Sequence, residues 1–179
     1  YYQPGWTLVG AGIFKPEKTK RDMAKLIPFG VSWIKTAVAL FEPEKNQLLL
    51  EGCRPVKYKQ LVVAPGLKLD WSAIEGLGET LGKNGVTSNY RYDLAPYTWE
   101  LVQGLKAGKA IFTQPPMPIK CAGAPQKVMY LSSDHWLSAG VLNKIDVEFC
   151  NTGPVLFGVK DYVPALMEYI NKYGITLSF

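Results

Sequence analysis

The chain has 179 residues, 47% of them hydrophobic and 12% aromatic, with a formal charge of +5. That length supports one sizeable core, or one domain with part of a second. No run of about 18 apolar residues occurs, so no transmembrane helix is readable, and scattered Lys and Arg without interleaved aromatics give no nucleic-acid footprint.

Three cysteines, Cys53, Cys121 and Cys150, make no disulfide framework, and a single histidine leaves no protein-only zinc centre to expect. The chain opens on "YYQPGW" without an initiator Met or a signal peptide, which points to a processed or truncated chain.

In chain order, "VGAGIF" (residues 9–14) offers a lone GxG. Lys15 stands where a dinucleotide fingerprint needs its third glycine, and no clean strand precedes it. The basic run 15–25 is interrupted by acids and reads as a solvated face. "VSWIKTAVALF" (31–41) and "QLLLEG", joined by the turn-like "EPEKN", read as strands. "PVKYKQLVVAPG" follows as two more strands or one bent one. Together these predict a β-meander ending in a buried run Leu61, Val62 and Val63 before Pro65-Gly66. "TWELVQGLKAG" predicts a helix closed by Gly108.

From residue 109 the pattern changes. "KAIFTQ" (109–114) is a short apolar strand, and 124–136 a helix with Pro125 near its first position. "KIDVEFCNT" (144–152) is a second strand, 160–174 a second helix with Tyr162, Leu166, Tyr169 and Ile170 on one face, and "ITLSF" a third strand. This is half of a doubly wound α/β sheet, with a boundary near residue 108.

A half of this type commonly binds a dinucleotide through a Gly-rich turn after its first strand. Here that turn is "TQPPMPIKCAGAPQ", whose prolines lack the N–H groups a pyrophosphate needs, and Cys121 stands near the place of the cradle. Two roles remain open for Cys121. It is a buried cysteine in a small-residue contact, or a thiol at a helix start, where the dipole favours thiolate. Cys150, closing an apolar strand, reads as a core cysteine. Cys53, in "EGCRP", reads as exposed, and His135 as structural.

The segments "YYQPGWTLVGAG", "GVSWIKTAV", "LVVAPGLKLDWSAIEGL", "TSNYRY", "IKCAGAPQKVMYL" and "FGVKDYVPAL" resemble the sulfide:quinone oxidoreductases of mitochondria and some bacteria. The resemblance implies part of a flavoprotein with two dinucleotide-binding domains. Residues 1–108 would be the later part of the FAD domain with its β-meander. Residues 109–179 would be the first half of a second, Rossmann-like domain carrying the redox cysteine. It also implies an internal fragment, with the first Gly-rich turn and the second redox cysteine elsewhere.

Carried over residue by residue, Cys121 matches the persulfide-forming cysteine. Glu79 matches an acidic residue near the sulfide site and Lys127 a lysine near the cysteine. Gln3, Val38, Ala64 and Gly66 match positions near FAD. The implied activity is sulfide oxidation through a cysteine persulfide, with FAD passing electrons to a membrane quinone. A small thiol or sulfite would accept the sulfur. The implied location is the matrix side of the mitochondrial inner membrane, or a bacterial cytoplasmic membrane, with docking through the missing C-terminal region. Two alternatives stand beside it: a truncated non-catalytic product, and a type II NADH dehydrogenase-like flavoenzyme. The proline run and Cys121 speak against the latter.

Overall fold

The computed structural model describes residues 1–52 and 54–179, so the expectation for Cys53 lies outside the described residues. The chain divides into two units, Asp22–Ala73 and Tyr1–Arg21 with Ile74–Phe179.

The smaller unit is the expected meander: β1 (Val38–Glu42), β2 (Gln47–Leu50) and β3 (Pro55–Lys57) pair antiparallel in that order. Asn46, at φ 49°, makes the left-handed step that turns β1 into β2, a conformation Asn tolerates better than most residues. The Glu42 carboxylate secures the same turn by accepting from Lys45 and Gln47. The meander is shorter than its sequence suggests. Residues 61–70 form no strand, and Val62 and Val63 are 89% and 57% exposed. A strand needs a partner for its backbone groups. Among the described residues, β3 is the last strand of this sheet, and none pairs with the 61–63 run. Leu50 is the one buried hydrophobic side chain among the described residues of this unit.

The larger unit begins with the short helix α1 (Trp6–Val9), continues after Ile74 through α2 (Leu77–Thr80) and α3 (Ala95–Gly104), and then enters an alternating region. There β4 (Gly108–Gln114), α4 (Gly123–Ser138), β5 (Ile145–Asn151), α5 (Val163–Tyr173) and β6 (Thr176–Ser178) follow one another. The three strands are parallel in the order β4-β5-β6. The α/β class, the antiparallel meander as such and the parallel sheet are as the sequence predicts; the extent of the meander is not. Gly108 does not close α3. The helix ends at Gly104, and Gly108, at φ 112°, opens β4.

Strand alternation sets the core. Ile145, Val147, Phe149 and Asn151 are buried on one face of β5, where Met129 and Trp136 of α4 and Ile170 and Tyr173 of α5 pack with them. Asp146, Glu148 and Cys150 take the other face. Cys150 is therefore not a core cysteine. It is partly exposed, its Sγ 3.7 Å from Glu148 Oε1, in a polar network where Glu148 also pairs with Lys109 at 2.6 Å and accepts from Ser178. On α5 the buried stripe is Ile170 and Tyr173 with Leu166 and Met167 beside it, whereas Tyr162 and Tyr169 are exposed.

Two bonds staple α4 to α5: Tyr130 Oη donates to Leu166 O at 3.2 Å, and Tyr173 Oη to Asp134 Oδ1 at 3.0 Å. The glycines of "VGAG" are tightly packed. A Cβ on Gly12, already at φ 73°, would stand 2.4 Å from the Trp99 indole, and one on Gly10 would stand 2.3 Å from Asn89 Oδ1. His135 lies edge-on to Trp99 with ring centroids 4.8 Å apart.

Candidate active site around Cys121

The segment between β4 and α4 leaves the carboxyl end of the parallel sheet, the edge at which such sheets place their ligand crevices. Its prolines keep it irregular, and Cys121 lies at its end, two residues before the first residue of α4. The cysteine is exposed and has φ 61°. For a residue with a Cβ this left-handed conformation costs about 1–2 kcal/mol, so the surroundings must hold it.

Two contacts do. The Ala124 N–H in the first turn of α4 donates to Cys121 O at 3.0 Å. The Tyr90 hydroxyl donates to Lys120 O at 2.7 Å and lies 3.2 Å from Cys121 O. Hydrogen bonds of this kind contribute roughly 1 kcal/mol each, enough together to match the strain. Tyr90 is itself fixed through its backbone N–H, which donates to Ser88 Oγ at 3.2 Å.

Cys121 lines a cleft of about 230 Å³. Pro4, Trp6 and Ala124 form its apolar wall, and Gln3, Asn89 and Tyr90 supply polar groups. Lys120 and Lys127 also line it. Trp6 Nε1 and Asn89 Oδ1 are buried without a hydrogen-bond partner, leaving one donor and one acceptor unsatisfied in the residues of this wall. The volume falls below the roughly 300–1,000 Å³ of sites that enclose a small molecule. By itself the cleft is too small to enclose a whole dinucleotide. Among the described residues no cluster of His, Cys, Asp and Glu could hold a metal.

Of the seven candidate site residues, the fold brings Cys121, Lys127 and Gln3 to this cleft. Glu79 is exposed on α2 and does not line it. Val38, Ala64 and Gly66 belong to the smaller unit. Val38 opens β1, while Ala64 and Gly66 lie in the irregular stretch after β3, where Gly66 has φ 81° and open space where a Cβ would stand. Sequence reasoning singled out neither Tyr90 nor Lys120. Tyr90 lies 31 positions before the cysteine whose carbonyl it faces, a pairing that no local pattern reports.

Burial pushes the Tyr90 phenol up to about 12, with the neighbouring Cys121 sulfur adding to the shift. Burial likewise raises Tyr130 to about 12, and burial followed by the Asp134 carboxylate raises Tyr173 to about 12. Each of these phenols is harder to ionise in the folded chain than at its ordinary value of 10. Their contribution to stability is therefore complete below pH about 10 and lost as the pH climbs through about 12. Urea midpoints measured from pH about 9 to about 12 should hold steady at first and fall across the upper part of the range. A midpoint that stays level to the end would contradict these three environments.

No family model matches the chain. The sulfide:quinone oxidoreductase, mitochondrial, of Dictyostelium discoideum is 43% identical over 180 residues, which cover 100% of this chain and 40% of that protein. The protein of the same name from Mus musculus is 38% identical over 179 residues, with the same coverage of 100% and 40%. Among solved structures, the X-ray structure of the sulfide:quinone oxidoreductase from the hyperthermophilic bacterium Aquifex aeolicus shares the fold. It has a TM-score of 0.78 at 20% identity and covers 98% of this chain and 41% of that one. The chain thus spans about 40% of the length of the curated relatives it matches. Along its whole length it is related to a segment of the mitochondrial sulfide:quinone oxidoreductases, the family its motifs resemble.

Proposed function

We propose that the protein to which this chain belongs is an FAD-dependent sulfide:quinone oxidoreductase, and that Cys121 is its persulfide-bearing cysteine. The observation that carries this reading is the placement of Cys121. The thiol is exposed at the carboxyl end of β4 and shares a cleft with Gln3, Lys120 and Lys127. The relatives' names support the activity and a mitochondrial location. We place the protein on the matrix side of the inner membrane, with quinone as acceptor and a small thiol or sulfite to remove the sulfur.

In this reading residues 1–108 are the later part of the FAD domain and 109–179 the first half of the second domain. Gln3, Val38, Ala64 and Gly66 would contact the cofactor, and FAD supplies the two-electron acceptor when bound. Cys121 starts in a disulfide with a second cysteine outside residues 1–179. Hydrosulfide adds to that S–S bond. One sulfur stays on Cys121 as a persulfide and the partner leaves as thiolate, carrying the electron pair. Lys120 and Lys127, which line the cleft, would draw the anion toward it. Glu79, exposed on α2, would act where the complete chain brings it near sulfide.

The test is sulfide-dependent reduction of a water-soluble quinone by the full-length, flavin-loaded protein. Turnover with sulfide, and none with NADH, is the expected result. Turnover with NADH and none with sulfide would overturn the assignment.

A further inference from the structure

The cleft leaves one contact unused by the chemistry above. The Tyr90 hydroxyl faces two successive carbonyls, those of Lys120 and Cys121. These oxygens belong to the two peptide planes on either side of Cys121. The rotation of one plane against the other is that residue's own φ and ψ. A single hydroxyl that engages both planes therefore fixes the backbone conformation of the cysteine, and with it the direction in which its Cβ and Sγ leave the chain.

We propose that Tyr90 is a positioning residue for Cys121, locking the cysteine in its left-handed conformation so that the sulfur is presented at the cleft. The inference rests on the reading of Cys121 as the reactive thiol.

Three further features fit it. Cys121 is one of three non-glycine residues with positive φ among the described residues, and the other two are asparagines, Asn46 and Asn84, which accept that conformation more easily. The Tyr90 ring is half-buried in the wall of the same cleft, so it forms a fixed strut rather than a mobile surface group. The Ala124 N–H holds Cys121 O from the helix side, but it touches only one of the two planes. Without the phenol, the Lys120–Cys121 plane would be free to turn.

The experiment uses Tyr90→Phe in the full-length, flavin-loaded protein, where the ring stays and only the hydroxyl goes. Two readouts are taken. Amide hydrogen exchange over residues 119–124 should speed up by about tenfold or more, while residues 128–136 of α4 keep their protection. In the quinone assay kcat should fall about tenfold, with KM for sulfide and for quinone within about twofold of the parent and flavin content unchanged. A purely structural tyrosine would loosen α4 as a whole, or lower flavin content, without this split. Unchanged exchange over 119–124, or unchanged kcat, overturns the inference. Failure of the underlying reading shows separately, as full activity of Cys121→Ser, and it would remove this inference as well.

Discussion

Replacing Cys121 by serine in the full-length protein is expected to lower sulfide-dependent quinone reduction by at least about a hundredfold, or roughly 2.7 kcal/mol of transition-state stabilisation. A serine hydroxyl at this place keeps the loop geometry, because the contacts that hold residue 121 are made by backbone carbonyls, its own and that of Lys120. It cannot form the S–S bond on which the proposed step depends. The loss therefore reports chemistry and not folding, and flavin content should remain that of the parent.

The other two cysteines serve as controls. Cys150 sits on the polar face of β5, where partial burial, then the Glu148 carboxylate, raises its thiol pKa and disfavours the nucleophilic form. Cys150→Ser should keep near-normal turnover, as should Cys53→Ser. Near-normal turnover in Cys121→Ser, or a dead Cys150→Ser, would refute the assignment of the reactive thiol.

The parallel half of the fold was readable because its signals are local. "KAIFTQ" and "KIDVEF" carry short apolar patterns, Pro164 sits in the first turn of α5, and Gly174 ends that helix at φ 63°. The place of Cys150 is legible too, in the period of two that runs through "IDVEFCN". Ile145, Val147 and Phe149 claim the core face and send the cysteine to the opposite one. The run 61–63 is a different matter. Its apolar residues suit a strand, but a strand exists only against a partner, and no local pattern says whether one stands beside it.

The site divides the same way. The thiol and the helix that follows it are close in sequence and legible from local pattern, whereas Lys127, like Gln3, comes from the resemblance. Tyr90 and Lys120 join the cleft through contacts that only the folded chain reveals. Glu79, singled out by resemblance, is exposed on α2 and is not among the residues that line the cleft.

Trp136 is where the second large effect is expected. This indole is 2% exposed at the C-terminal part of α4, and its Nε1 donates to Val102 O of α3 at 2.8 Å. Its ring meets Phe112 of β4 with centroids 6.4 Å apart. It thus ties together the helix that Cys121 precedes, the helix before the sheet, and the strand that leads into the cysteine loop. Trp136→Ala removes the largest side chain of the buried cluster and strands a buried carbonyl at Val102. The expected cost is roughly 3–5 kcal/mol. Trp136→Phe keeps most of the volume and loses the donor, so it should cost about 1–3 kcal/mol.

The measurement is native-state hydrogen exchange of the α4 amides in the full-length protein. The most protected of them should exchange on the order of a hundred to a few thousand times faster in Trp136→Ala, as 3–5 kcal/mol requires. Because α4 carries Lys127 and its first turn holds Cys121 O, quinone reduction should fall with it, and the smaller variant should fall less. Equal exchange rates in the two variants would mean that the indole N–H, not the packing, holds α4 in place. Protection unchanged in both would mean that α4 is anchored by its contacts with α5 instead, through Tyr130 and Tyr173.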